Sequence, residues 1–232
     1  MSSAVSIPSI APTVVYESDE SRVSLMYRLR SAGRSPRTLF LTVPGKEILR
    51  LVDWDGEVDR GYVGSDVKQL REYRDASFER VVLHWVLDEF VGEPGRRRRV
   101  RNQKNLLREV MRILTPGGLI VGCVANLLSA AAGSHGSRLG RTSAKCVRLL
   151  ESAGFGDTNV SIALPSAGSP SILISTAPVA ARHYFRLQLA RNAEDLGFLS
   201  RLSRRLLIET GLNLHMQGSL IFSARTLCST RY

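Results

Sequence analysis

The chain has 232 residues, of which 44% are hydrophobic, and its formal net charge is +11. This size and composition fit one globular domain with a substantial core and exclude a disordered chain. The longest apolar stretch, residues 119–132, is too short and too interrupted to span a bilayer. Three widely spaced cysteines exclude a CxxC-type zinc site, so we expect no metal and a reducing cytoplasm.

The N-terminal region shows no basic segment ahead of an apolar run, and we therefore expect no secretory signal. Residues 1–20 are rich in serine and proline, which predicts a flexible arm ahead of a single domain over residues 21–232. The pattern from Ser21 to Ala32 predicts a helix. The apolar run Thr38–Val43 predicts the first strand, and residues 46–52 predict a short helix after it.

The middle of the chain alternates between predicted strands and helices. Residues 61–66 predict a second strand, residues 67–77 one abbreviated segment, and residues 80–84 a buried strand. Apolar residues at helical spacing predict a helix over 105–114, which the sequence Thr-Pro-Gly-Gly at 115–118 ends before a strand over 119–124. Strand, helix and strand with short connections predict a right-handed parallel crossover.

Two arginine-rich stretches carry much of the positive charge. Five arginines in the six residues 96–101 repel one another, so we expect an exposed basic loop over residues 90–101. Residues 182–205 form the second stretch, within two predicted basic amphipathic helices over 180–191 and 196–210. Neither stretch has the interleaved aromatic residues of a nucleic-acid stacking surface, which favours a solvated basic face over nucleic-acid binding.

The C-terminal half has a second set of predicted elements. Residues 127–140 are rich in alanine, glycine and serine and predict a flexible segment that could act as a flap. The remaining predicted elements are a helix over 142–153, strands over 159–164 and 171–175, the two basic helices, and a final strand over 219–225.

The motif SFERVVLHWVLDEF, followed by LLREVMRILTPGGLIVG, resembles the second half of the class I S-adenosylmethionine-dependent methyltransferase domain. The resemblance covers about residues 37–126. It implies an α/β, Rossmann-like fold with a mostly parallel central sheet and an antiparallel last strand. In this chain the middle is abbreviated, and residues 178–212 form a helical insertion before the last strand.

The resemblance implies S-adenosylmethionine as the cofactor. Most members of the family have a GxGxG loop after the first strand, whereas this chain has Val43, Pro44, Gly45 and Glu47, similar to a branch with an Ala-Pro-Glu type loop. In the motif YVGSD, Asp66 matches the acid that accepts hydrogen bonds from both ribose hydroxyls. The remaining candidate cofactor contacts are Val67, Leu70, His84 and Trp85.

The candidate catalytic residues are His84, Asp88 and His135. Because His84 follows a strand at the edge where such folds bind ligands, it could act as a general base or close over the methyl group. Packing or capping is the alternative role for His84. Asp88 begins the turn after the same strand and could face the substrate, and His135 lies in the predicted flap.

The predicted function is methyl transfer to a small or medium acceptor. If the arginines of residues 96–101 bind this acceptor, it carries a phosphate or carboxylate group. The sequence HWVL at 84–87 replaces the Asn-Pro-Pro-Tyr type motif of amino-methyltransferases, which favours O-methylation of a sugar or natural-product intermediate. The alternatives are a pseudo-methyltransferase acting as a partner subunit, a relative with different chemistry, and an RNA- or polyanion-binding protein. The basic helices leave two further partners open, a second copy of the chain and a membrane surface.

Overall fold

The computed structural model describes residues 37–42, 58–62, 67–89, 96–126, 141–166, 169–192, 197–216 and 218–227. The predicted arm over 1–20, the predicted helices over 21–32 and 46–52, and the predicted flap over 127–140 lie outside these residues. The domain limits predicted at residues 20 and 21 therefore remain a prediction.

The described residues form a seven-stranded sheet in the order β2-β1-β3-β4-β7-β5-β6. Neighbouring strands among β1 to β4 pair in parallel, and β7 runs antiparallel between β4 and β5. This arrangement confirms the predicted Rossmann-like fold with an antiparallel last strand. The strands are β1 (Thr38–Thr42), β2 (Val58–Tyr62), β3 (Phe78–His84), β4 (Leu114–Ala125), β5 (Phe155–Ser166), β6 (Ser169–Ser175) and β7 (Ser219–Thr226).

The helices lie between these strands as predicted in outline. A single 3-10 helix, Val67–Glu72, occupies the abbreviated middle. The α-helices are α1 (Val86–Glu89), α2 (Arg96–Ile113), α3 (Ser143–Glu151), α4 (Pro178–Arg191), α5 (Phe198–Glu209) and α6 (Asn213–Met216). α4 and α5 lie within the predicted helical insertion, residues 178–212, and α6 follows it before β7. No helix in the described part of the chain is long and apolar enough to cross a membrane.

The central strands are buried on both faces, which explains their almost unbroken apolar sequences. Leu39 and Leu41 of β1 belong to the larger core, which also contains the apolar faces of α2 and α3. Phe40, between them in sequence, belongs to a second cluster with Val82, Val121 and Cys123. Alternation along each strand therefore divides the core between the two faces of the sheet.

The sequence Thr-Pro-Gly-Gly ends α2 but lies within β4. Phe78 pairs with Leu114 and Arg80 pairs with Leu119, so β4 carries the extra residues as an irregularity beside β3. Gly117 has φ +73°, and a Cβ on Gly118 would lie 2.7 Å from the Thr115 carbonyl oxygen. The backbone therefore requires glycine at both positions, whereas the predicted strand start at Leu119 is too late.

Two predicted boundaries are wrong. The basic segment 96–101 forms the first turns of α2 and is not a loop, because arginine is a good helix former and α2 continues into residues that pack on the sheet. The second strand, β2, begins at Val58, three residues before the predicted start at 61, and residues 63–66 of the prediction lie outside the described residues. It lies at the edge of the sheet and its sequence, VDRGY, lacks the apolar run by which a buried strand is recognised.

The C-terminal predictions agree with the structure more closely. The Thr142 side chain caps α3 by accepting a hydrogen bond from the Lys145 backbone N–H, and Gly154 ends the following turn at φ +103°. β5 and β6 form the predicted antiparallel hairpin, although both are longer than predicted. Gly218 precedes β7, where a Cβ would collide with the Ala163 carbonyl oxygen.

Candidate active site

The pairing register places the ends of three parallel strands at one level. Thr42 of β1 pairs with Tyr62 of β2 and with His84 of β3, and His84 pairs with Cys123 of β4. Thr42, Tyr62 and His84 are the last residues of β1, β2 and β3, and β4 ends two residues beyond this level, at Ala125. In open sheets of this kind, ligands bind beyond the carboxyl ends of the strands.

His84 is the last residue of β3 and is 1% exposed. Its ring stacks on Phe40 at 6.0 Å between centroids and lies edge-on to Trp85, and its Nδ1 lies 3.6 Å from the Cys123 sulfur. These contacts fix the ring on the face of the sheet that holds the second core cluster. The geometry is compatible with the predicted base and also with the packing role considered for this residue.

Trp85 makes the turn from β3 into α1. Its φ of +59° is a left-handed conformation that a residue with a Cβ adopts at a cost of about 1 kcal/mol or more. The Trp85 carbonyl accepts a hydrogen bond from the Asp88 backbone N–H at 3.1 Å, and the indole is buried. The sharp turn directs the chain across the end of the sheet immediately after His84.

Asp88 is buried and connects the ends of β3 and β4. Its Oδ2 accepts a hydrogen bond from the Ala125 backbone N–H at 2.5 Å. The polar contacts at this edge therefore include a carboxylate that holds a strand end, in addition to any role toward substrate. A carboxylate in this position stabilises the orientation of the backbone that leads to Asn126, which is itself fully buried.

Three further hydrogen bonds complete a closed ring around this edge, which we call the strand-end clamp. Gln103 of α2 donates to the Leu87 carbonyl at 2.5 Å, and Arg141 donates to the Gln103 side-chain oxygen. The Arg141 backbone N–H donates to the Ala125 carbonyl at 2.9 Å. With the bond between Asp88 and Ala125, the clamp joins α1, α2 and β4 to the residue at which the described chain resumes after position 126.

Arg141 of the strand-end clamp is partly buried and interacts electrostatically with Cys146 and Asp88. Burial lowers the pKa of Arg141, an effect that the nearby Cys146 and Asp88 oppose. Burial raises the pKa of the Cys146 thiol to about 12, although the positive charge of Arg141 acts in the other direction. Cys146 is therefore a neutral packing residue at physiological pH and not a nucleophile.

The abbreviated segment carries two of the predicted cofactor contacts, Val67 and Leu70. Leu70 is fully buried in the larger core and Val67 packs against that core from its edge. Arg112 of α2 fixes the segment by donating to the carbonyls of Leu70 at 2.9 Å and Tyr73 at 3.0 Å. Leu70 thus supports the segment from inside, and Val67 is the more exposed of the two predicted residues.

Six of the predicted site residues lie outside the described residues: Val43, Pro44, Gly45, Glu47, Asp66 and His135. Their roles remain predictions. Within the described part of the chain no group of three or more His, Cys, Asp or Glu side chains is arranged to bind a metal.

Gln103 and Arg141 were not predicted as site residues. Gln103 follows the arginine-rich segment 96–101, and Arg141 follows a stretch without recognisable periodicity. The one signal available was the spacing of Gln103 from Leu106, Leu107 and Val110, which puts it on the apolar side of α2.

Comparison with known proteins agrees with this geometry. Residues 47–122 match the family model described as a methyltransferase domain. The match begins at Glu47, the last residue of the predicted cofactor loop, and spans β2, the 3-10 helix, β3, α1, α2 and most of β4. No curated protein sequence matches the chain.

Solved structures with a similar fold include the [4+2]-cyclase SpnF, at 14% identity and a TM-score of 0.50, with 95% of this chain and 88% of that chain covered. A SAM-dependent methyltransferase from Thermotoga maritima has 12% identity and a TM-score of 0.48, with 89% of each chain covered. One from Archaeoglobus fulgidus has 12% identity and a TM-score of 0.44, with 82% and 86% covered. At these identities the likeness is one of fold.

Proposed function

We propose that this chain, a class I S-adenosylmethionine-dependent methyltransferase by its domain match and fold, methylates a hydroxyl group of a small or medium acceptor. A sugar or a natural-product intermediate is the proposed acceptor class. The observation that carries the proposal is the common level of Thr42, Tyr62 and His84 at the carboxyl edge of the parallel strands. The predicted cofactor residues Gly45 and Asp66 follow two of these strand ends in the chain.

A nucleoside cofactor would bind at this edge, beyond the carboxyl ends of β1, β2 and β3. The turn at Trp85 and the strand-end clamp hold the backbone beyond β3 and β4 in fixed positions. Asp66 would hold the ribose hydroxyls, and residues 43–47 would approach the methionine part. When bound, S-adenosylmethionine supplies a methyl group already activated by its positively charged sulfur.

The protein's contribution to such a transfer is alignment and the exclusion of water. The acceptor oxygen forms a bond to the methyl carbon while the bond from that carbon to sulfur breaks, and the sulfur keeps the electron pair. The acceptor hydroxyl must lose its proton. We assign that proton to His84, whose position at the end of β3 supports this role.

Hydroxyl transfer is preferred over transfer to an amine because of residues 84–87. The sequence HWVL stands where amino-methyltransferases that act on nucleobases or glutamine carry an Asn-Pro-Pro-Tyr type motif. Trp85 and Val86 are buried, so this segment offers an acceptor no row of polar groups. We also propose a reducing cytoplasm as the location, because the three cysteines are widely spaced along the sequence.

The pseudo-methyltransferase and the different-chemistry alternatives keep the same fold. SpnF, which has this fold, is described as a [4+2]-cyclase, and a fold match alone does not decide the reaction. The test is transfer of a labelled methyl group from S-adenosylmethionine to a panel of hydroxyl and amine acceptors. The proposal expects labelled ether products, and cofactor binding without transfer to any hydroxyl acceptor would contradict it.

The role of His84 is tested in the same assay. His84→Gln should lower the rate of methyl transfer by about 100-fold or more, the usual contribution of a positioned base. Cofactor affinity, measured separately by calorimetry, should change far less. Equal losses in rate and cofactor affinity would instead indicate that His84 only maintains the packing with Phe40 and Cys123.

A further inference from the structure

The helical insertion exposes apolar side chains on the face turned away from the core. Phe198 and Leu199 are each 78% exposed, Leu202 is 56% exposed and Leu206 is 64% exposed. Phe198, Leu202 and Leu206 are spaced by four residues and Leu199 lies beside them, so the four share one side of α5. We call these four residues the outer stripe.

The outer stripe is separate from the side by which α5 packs on the protein. Leu207 is half-buried and Ile208 is buried in the larger core, and both lie on the opposite side of the helix. One apolar side of α5 therefore packs against the rest of the protein, and a second apolar side is exposed to solvent. An exposed apolar side lowers solubility, and we therefore expect it to contact a binding partner.

Arginines border the outer stripe. Arg201 and Arg205 lie three residues after Phe198 and Leu202, which places each beside its apolar neighbour on the helix surface. All four of these residues line a groove of about 680 Å³ between α4 and α5, together with Arg186. Across the two helices there are six arginines and one acid, Glu209, which pairs with Arg186 at 2.6 Å.

The positive charge beside the outer stripe favours an anionic bilayer over a second copy of the chain as its occupant. A second copy of the chain docked symmetrically on this stripe would bring the Arg201 and Arg205 side chains of both copies together, and like charges oppose that contact. An amphipathic helix with Phe and Leu on one side and arginines along its border has the features of helices that lie in the headgroup region of a membrane. Each such arginine adds attraction to negatively charged lipid.

We propose that α5 and the adjoining side of α4 bind the surface of an anionic lipid bilayer, with the outer stripe inserted among the headgroups. This inference does not depend on the methyl-transfer reaction. The insertion returns to the sheet at Ser219, which pairs with Ala125 and Ala163. The proposed membrane-binding element is therefore continuous in sequence with the edge that carries the candidate active site.

The experiment is flotation of the full chain with two kinds of vesicle, phosphatidylcholine alone and phosphatidylcholine mixed with phosphatidylglycerol. The protein should float with the anionic vesicles, and binding should fall steeply as salt rises. Two variants test the surface: the triple replacement Phe198→Ser, Leu202→Ser, Leu206→Ser, and the double replacement Arg201→Glu, Arg205→Glu. Each should weaken binding by about tenfold or more.

Two control variants distinguish loss of the proposed membrane-binding surface from general effects of altered charge or lost apolar area. Arg108→Glu with Arg148→Glu makes the same change in net charge at exposed positions of α2 and α3. Leu227→Ser removes an apolar side chain that is 68% exposed just after β7. Both controls should bind anionic vesicles as the unmodified chain does, and all variants should give the same circular dichroism spectrum and melting temperature.

Three results would overturn the proposal. They are equal binding to neutral and anionic vesicles, no binding to either, and equal losses in the surface variants and their controls. Sedimentation velocity adds a fourth, since a dimer that the triple replacement abolishes would make a second copy the occupant. Methyl-transfer activity is measured on the same variants without vesicles and should be unchanged, so failure here leaves the proposed reaction intact.

Discussion

At the scale of single residues, the site contains side chains that fit chemistry and side chains that support the backbone. His84 and Asp88 are both buried at the end of β3, and both were candidates for catalysis. Asp88 differs because its carboxylate accepts a hydrogen bond from the Ala125 backbone N–H. We therefore expect Asp88 to act on β4, while His84 remains the candidate base.

Asp88→Ala should lower the free energy of unfolding by about 2 kcal/mol, because it leaves the buried Ala125 N–H without its acceptor. Asp88→Asn keeps an oxygen at the position and should cost less. Urea unfolding measures both values. If Asp88 were the base, the asparagine variant would be stable and inactive, whereas a support role predicts that it keeps most of its methyl-transfer rate.

The Cys146 thiol provides a pH-dependent prediction. Its pKa is raised from 9.0 to about 12 in the folded protein, so the folded state holds the proton more tightly than the unfolded state. This contribution to stability is complete below the unfolded pKa and is lost as pH rises through the interval between the two values. From about pH 8 to about pH 10, the free energy of unfolding should fall by about 1.4 kcal/mol because of this thiol.

The variant Cys146→Val isolates the thiol's contribution, because all other groups that titrate in this interval are retained. The pH dependence of its unfolding free energy should be shallower than that of the unmodified chain by that amount. Identical pH dependence in the two proteins would show that the thiol is not held neutral by burial.

At the scale of elements, the sheet is so closely packed at β4 that glycine is required there. A Cβ on Gly122 would lie 2.8 Å from the Leu83 carbonyl oxygen and would collide with the ring of Phe222. Neither the backbone of β3 nor a buried ring can move away cheaply. This part of β4 lies directly between the strand that ends in His84 and the antiparallel strand β7.

Gly122→Ala should lower the free energy of unfolding by about 1–3 kcal/mol, the range for overpacking a core. Gly197→Ala is the control, because a Cβ there meets nothing within 4 Å and its φ is −63°. The control should be close to neutral in the same urea unfolding experiment. Equal effects at the two positions would contradict the packing described for β4.

Arg112 links α2 to the segment that carries the predicted cofactor contacts Val67 and Leu70. It bonds to the carbonyls of Leu70 and Tyr73 and to the carboxylate of Asp75 at 2.5 Å. Arg112→Lys keeps the charge but cannot reproduce this fork of donors. We expect a loss of about 1–2 kcal/mol in stability and weaker cofactor binding. Unchanged cofactor affinity would indicate that residues 67–72 do not contact the cofactor.

The elements also show how far the sequence could predict this molecule. The runs at 81–83 and 119–124 are apolar and branched, and both are central strands. Edge strand β2 has no such run and was misplaced. Like-charge repulsion suggested a loop at 96–101, but helix propensity and packing of the following residues on the sheet outweigh it.

The candidate site likewise contains residues that the sequence could predict and residues that it could not. His84 could be found because a strand pattern stops at it, and the structure puts it level with Thr42 as a parallel sheet requires. Gln103 and Arg141 could not be found, because what brings them together with Ala125 is the tertiary fold. Their sequence neighbours contain no pattern that distinguishes a buried polar link from a solvated side chain.

At the scale of the whole molecule, one sheet joins the candidate active site to the proposed membrane-binding surface. The candidate active site lies at the carboxyl edge of β1, β3 and β4, and the basic insertion lies between β6 and β7. The excess of positive charge is consistent with negatively charged partners at either surface. The central claim concerns the first surface, namely that this edge binds S-adenosylmethionine although the usual glycine-rich loop is absent.

Isothermal titration calorimetry with S-adenosylhomocysteine tests that claim most directly. The unmodified chain should bind one equivalent, and Asp66→Ala should lose at least about tenfold in affinity because two ribose hydroxyls lose their charged acceptor. Glu151→Ala, which removes an exposed acid from α3, is the control and should bind normally. No binding of S-adenosylhomocysteine or S-adenosylmethionine at high micromolar concentration would contradict the account, and full affinity in Asp66→Ala would contradict the ribose assignment.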